Sequence, residues 1–91
     1  MSWYRLVITR ENAFAGLFNQ VQETLSRLHI ASGAPIGVFM YSVKREPSPK
    51  STYYFPPSAV TIAESQLQQF GAVKCEAPDH SVLQIEYSRD A

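Results

Sequence analysis

Cysteine, glycine and charge are all scarce in this sequence. Its 91 residues include one cysteine and four glycines, and charged side chains make up only 18%. A single cysteine excludes a disulfide framework and a cysteine-rich zinc site. Eight Lys and Arg balance eight Asp and Glu, so the chain has no excess of positive charge with which to grip a phosphate backbone. No apolar run approaches the roughly 20 residues needed to cross a bilayer. The first residues, Met1-Ser2-Trp3-Tyr4-Arg5, open no uninterrupted apolar stretch before a small-residue cleavage site, and no secretory signal is expected. P-loop, GxGxxG and GxSxG patterns are missing as well. A lone Cys75 and no export signal fit a small soluble protein of the reducing cytoplasm.

What is present is apolar. Hydrophobic residues make up 45% of the chain and aromatics 12%, too much for a disordered segment. The charged fraction lies below the roughly 25% of an average soluble chain. One domain over residues 1–91 is expected, burying somewhat over ~60% of the unfolded chain's surface.

Residues 3–10 read as a strand, in which Tyr4, Leu6 and Ile8 alternate with Trp3, Arg5 and Val7. Residues 12–31 read as a helix. Leu17, Phe18, Val21, Leu25 and Leu28 fall within about 60° of Phe14 on a helical wheel. Asn12 is the expected N-cap and Gly33 the left-handed stop, with Pro35 behind it. A second strand covers 36–44. A loop bearing Pro47 and Pro49 then leads to a third strand, 51–55. A second helix runs from Ser58, the preferred N-cap, to Phe70, with Val60, Ala63, Leu67 and Phe70 on one side. Thr61 and Glu64 offer a later, capping-box start. Val73–Glu76 reads as a brief strand, 78–81 as a turn and 82–87 as a closing strand, with 88–91 frayed.

This order, β-α-β-β-α-β, predicts an α+β fold of the ferredoxin-like, split-βαβ kind. Two helices would cover one face of an antiparallel sheet, with the first and third strands inside it. Residues 73–87 supply either one edge strand or a hairpin that adds a fifth. The other sheet face should be polar in a monomer. Strand 36–44 contradicts that, because Ile36/Val38/Met40 and Phe39/Tyr41/Val43 are both apolar sets. An exposed face of this kind is larger than monomers usually carry. The favoured resolution is a homodimer joined through Trp3, Val7, Phe39, Tyr41 and Val43. Burying ~300 Å² of apolar area per subunit would contribute on the order of 7 kcal/mol before association costs. The alternatives are a monomer that tolerates the face, or one covered by its own C-terminal segment.

Few residues suggest chemistry. His29 lies at the rim of the first helix's apolar side and fits a dipole-complementing role near the C-terminus. His80 follows Asp79 in a turn, with no third group to make a catalytic set. Cys75 reads as a half-buried, inert thiol. His29, Cys75 and His80 have no metal-ligand spacing, and no metal or cofactor is expected. The strand aromatics permit an RNA-stacking sheet, but neutrality argues against nucleic acid. The split-βαβ order serves many unrelated families, and no motif here singles one out.

The reading is therefore a small interaction module that self-associates through an apolar sheet face, its partner otherwise a protein or a small molecule. The rival is a small dimeric α/β-barrel enzyme or ligand-binding protein. Its pocket would lie between sheet and helices, with Arg5, His29, Tyr41 and Tyr53 as its polar groups.

Overall fold

The structure, a computed structural model, describes residues 2–11, 15–33, 37–47 and 50–89. It is an α+β fold with two long helices and a five-stranded antiparallel sheet. The strands are β1 (Trp3–Ile8), β2 (Gly37–Val43), β3 (Ser51–Phe55), β4 (Val73–Cys75) and β5 (Leu83–Arg89). The helices are α1 (Leu17–Ser32) and α2 (Pro57–Gln69). The strand order is β4-β1-β3-β2-β5. The sheet departs from the four-stranded ferredoxin-like arrangement in its fifth strand, β5, which lies beyond β2. Nor do residues 73–87 form a hairpin: β4 pairs with β1, and β5 pairs with β2 on the opposite edge.

Period-two alternation makes β1 a strand with one side for the core. Tyr4, Leu6 and Ile8 pack with Val21 and Leu25 of α1 and with Ala59, Val60, Ala63 and Leu67 of α2. The anticipated stripe of α1 is there, with Val21 and Leu25 buried and Leu17, Phe18 and Leu28 partly so. Burial of this stripe, more than helix propensity, holds a helix of this length in place.

The helix ends differ from expectation in instructive ways. α1 starts at Leu17 rather than 12, because Gly16 has φ 79° and interrupts right-handed winding. An L side chain rarely adopts that conformation, which glycine enters at little cost. The expected Asn12 cap lies outside the described residues. Gly33 stops the helix as anticipated, with φ 64° and its N–H donating to the His29 carbonyl. α2 begins one residue early. Pro57 occupies the first helical position, where its missing N–H costs nothing. Ser58 is therefore not the N-cap, and its hydroxyl donates to the Val38 carbonyl instead. Nor do Thr61 and Glu64 form a capping box. The Thr61 hydroxyl donates to the Pro57 carbonyl and Glu64 accepts from the Tyr4 hydroxyl.

β2 and β5 are joined through two bulges of opposite sense. Val38 lies opposite Ser88, Met40 opposite Tyr87, and Tyr41 opposite Ile85. Phe39 is thus one residue too many on β2, and Glu86 one too many on β5. A bulge breaks strict alternation. Phe39 turns to the helix side, where its ring lies 5.0 Å from that of His29, and Met40 stays buried beside it.

Candidate functional site

The side of the sheet without helices carries a row of side chains across all five strands. Val73 lies opposite Arg5, Arg5 opposite Tyr54, Tyr54 opposite Tyr41, and Tyr41 opposite Ile85. Residues directly opposed in antiparallel strands point to the same side. Arg5 alternates with Tyr4 and Leu6, which belong to the core, so this row faces away from the helices. Its two ends are apolar and open, with Val73 51% and Ile85 59% exposed.

Part of this face is covered by the chain itself. β4 and β5 lie on opposite edges, about four strand spacings or roughly 19 Å apart. Residues 76–82 join them, a stretch with a reach of roughly 26 Å. The connector passes over the face without helices, because the His80 ring meets two side chains on that face. Its centroid lies 5.3 Å from Trp3 and 5.4 Å from Tyr41, edge-on to both. Trp3 and Tyr41 are themselves 5.8 Å apart. The connector ends in a 3-10 turn, His80–Val82, capped by the Asp79 carboxylate, which accepts from the Ser81 N–H. That hydrogen bond, with smaller help from the His80 charge, holds the Asp79 carboxyl below its usual range. Two buried apolar residues, Trp3 and Leu83, fall outside the helix-side core. Trp3 lies in the contact with Tyr41 and His80, and Leu83 lies opposite Val43 on the same face.

Beside the connector lies an open hollow of about 390 Å³. Its lining includes Arg5, Val7, Val43, Lys50, Thr52 and Tyr54, with Glu46 at the loop end. Glu46 is committed to the fold: one carboxylate oxygen accepts from the Thr52 N–H and the other from the Thr52 hydroxyl. Lys50 approaches that carboxylate to 4.0 Å. Arg5 and Lys50 give the hollow a positive rim, while Glu76 and Asp79 stand exposed on the connector.

A second, polar hollow of about 200 Å³ lies near the same end of the sheet, with Ser42, Tyr53, Gln84 and Glu86 in its lining. Glu86 accepts from the Ser42 hydroxyl at 2.8 Å and from the Gln84 amide at 3.3 Å. Burial raises the Tyr53 phenol above its usual range. A Ser51 hydrogen bond opposes this, and the Glu86 and Glu46 charges add to it. Burial also pushes the Cys75 thiol up, partly offset by the charge of Arg5. This leaves less reactive thiolate at neutral pH.

The residues singled out from the sequence divide between the two sides of the sheet. Arg5 and Tyr41 lie on the open side. Tyr53 stands opposite Leu6 on the helix side, 5.2 Å from the Phe18 ring. His29 is buried against Phe39 rather than placed at a rim. The four groups of the enzyme reading therefore do not converge on one pocket. Of the five expected at a dimer interface, Trp3, Val7, Tyr41 and Val43 share the open side. Phe39, 1% exposed, lies on the other. Of the aromatics an RNA-stacking sheet would need, Tyr54 is on the open side, but Trp3 lies under His80 and Tyr53 points to the helices. The sequence around His80 shows only a turn. The place of His80 over Trp3 depends on β5 crossing to the far edge, which no local pattern announces.

Among the described residues, no group of three or more His, Cys, Asp or Glu side chains could hold a metal ion. No described helix is long and apolar enough to cross a membrane. No family model, curated protein or solved structure matches the chain.

Proposed function

We propose that this chain is a small interaction module that self-associates through the side of its sheet that carries no helix. The observation that carries this reading is the row Val73–Arg5–Tyr54–Tyr41–Ile85, with apolar side chains more than half exposed at both ends. The two ends present apolar area, and its removal from water drives association. Tyr54, in the uncovered middle, is a residue of the kind that interfaces favour, large and rigid with one polar end. Zero net charge removes the general repulsion that would keep two copies apart. The cytoplasm is the compartment proposed for it, where its free thiol, Cys75, would stay reduced.

Sedimentation velocity over a micromolar concentration series tests the reading. A mass of two chains, returning toward one on dilution, supports it. A mass of one chain throughout overturns it. Ile85→Glu and Val73→Glu, each on an exposed position, should shift the equilibrium toward the single chain.

A further inference from the structure

The open face bears a raised connector, residues 76–82, and beside it the hollow rimmed by Arg5 and Lys50. We infer that in a pair of these chains the acidic connector of each copy seats in the basic hollow of the other. The inference rests on the reading of the chain as a self-associating module, and it names the contact.

Shape favours this seating. A ridge and a hollow side by side on one face are self-complementary. A half-turn about an axis lying in the contact plane, parallel to the ridge and between the two features, sets each ridge over the other copy's hollow. This is an isologous, closed contact, which stops at two copies. Stacking with ridge on ridge would hold the two sheets apart at the connector and leave both hollows wet.

Charge favours it as well. Glu76 and Asp79 are exposed on the ridge. The hollow offers Arg5 and Lys50, both exposed. Its one carboxylate, Glu46, accepts from the Thr52 N–H and hydroxyl and lies 4.0 Å from Lys50, so the net charge of the hollow is that of Arg5. The formal charges of Glu76 and Asp79 sum to −2 on the ridge, and those of Arg5, Lys50 and Glu46 to +1 in the hollow. Opposed potentials of this kind set register and disfavour the alternative stackings. Tyr54 and Val7, next to Arg5 in the hollow, would meet the apolar Ala77 and Pro78 of the ridge.

A charge-swap experiment tests this. One variant reverses the hollow, Arg5→Glu with Lys50→Glu. The other reverses the ridge, Glu76→Lys with Asp79→Asn, where asparagine keeps an acceptor for the Ser81 N–H. Each alone should weaken pairing about tenfold or more. An equimolar mixture should restore it to within about threefold of the parent, since both contacts of the mixed pair are then attractive again. Circular dichroism confirms that each variant is folded. If neither variant weakens a parent that does pair, or if the mixture recovers nothing, the inference fails while self-association stands. If the parent is a single chain at all concentrations, self-association itself fails and the inference with it.

Discussion

His80 meets Trp3 edge-on, with ring centroids 5.3 Å apart and planes at 83°. The contact joins a residue of the connector to the first residue of β1, and it leaves Trp3 only 9% exposed. Trp3 is the chain's single tryptophan, so its emission reports on this cover alone. His80→Ala should red-shift that emission and cost about 1–2 kcal/mol of stability. His80→Phe, which keeps a ring there, should restore most of both. Unchanged emission in His80→Ala would show that the connector does not shield the indole.

Glu46 fastens the β2–β3 loop to the sheet by accepting from both the Thr52 N–H and the Thr52 hydroxyl. Thr52 is buried, so deleting the acceptor strands two donors. Glu46→Ala should cost about 1–3 kcal/mol, and Glu46→Gln less, because the amide oxygen still accepts. Denaturant midpoints at constant slope measure the difference.

Leu67 and Ile30 are both helical and apolar but differ in what they touch. Leu67 is fully enclosed between α2 and the sheet, whereas Ile30 is 63% exposed. Leu67→Ala should cost about 2–5 kcal/mol, from lost transfer energy and the cavity left behind. Ile30→Ala should stay within about 0.5 kcal/mol. Similar losses at both sites would contradict this packing of α2.

Tyr53 makes stability depend on pH at the alkaline end. Burial raises its phenol above the ordinary value, with the Ser51 hydrogen bond opposing and Glu86 and Glu46 reinforcing. The folded state therefore holds this proton longer than the unfolded chain. The contribution is fully present below the unfolded value of about 10 and is lost as pH rises through the folded one. Tyr53→Phe should flatten this part of the stability profile and remove the late component of the tyrosine absorbance titration. A profile identical to the parent's would place the alkaline loss elsewhere.

The helix-side core was legible in the sequence because it rests on local periodicity. Alternation in β1 and the spacing of Val21, Leu25, Val60, Ala63 and Leu67 identify residues that the fold does bury. Gly33 was legible as a stop for the same reason. Gly16 was not. It falls inside a continuous apolar pattern that hides the break its positive φ creates. Phe39 was assigned to the open side by strict alternation, and the paired bulges at Phe39 and Glu86 reverse it. Bulges are agreements between two strands, here more than forty residues apart, and neither segment announces one. The cover over Trp3 escaped for a related reason. Of the resolutions weighed for the surplus apolar face, coverage by the chain's own later segment accounts for Trp3 and Tyr41. The uncovered remainder holds Arg5, Tyr54, Val73 and Ile85.

The connector also gives the sheet an order of assembly. β1, β3 and β2 can pair once residues up to 55 are available, and β4 joins β1 after α2. β5 docks only when residues 76–82 have crossed the face, a long-range closure with a high entropic cost before any reward. A chain that has emerged only as far as residue 75 would therefore show Trp3 and Tyr41 bare, together with an unpaired β2 edge. Its exposure to wrong partners is greatest at that moment. The last fourteen residues described, 76–89, end it by supplying a roof and an edge strand in one movement.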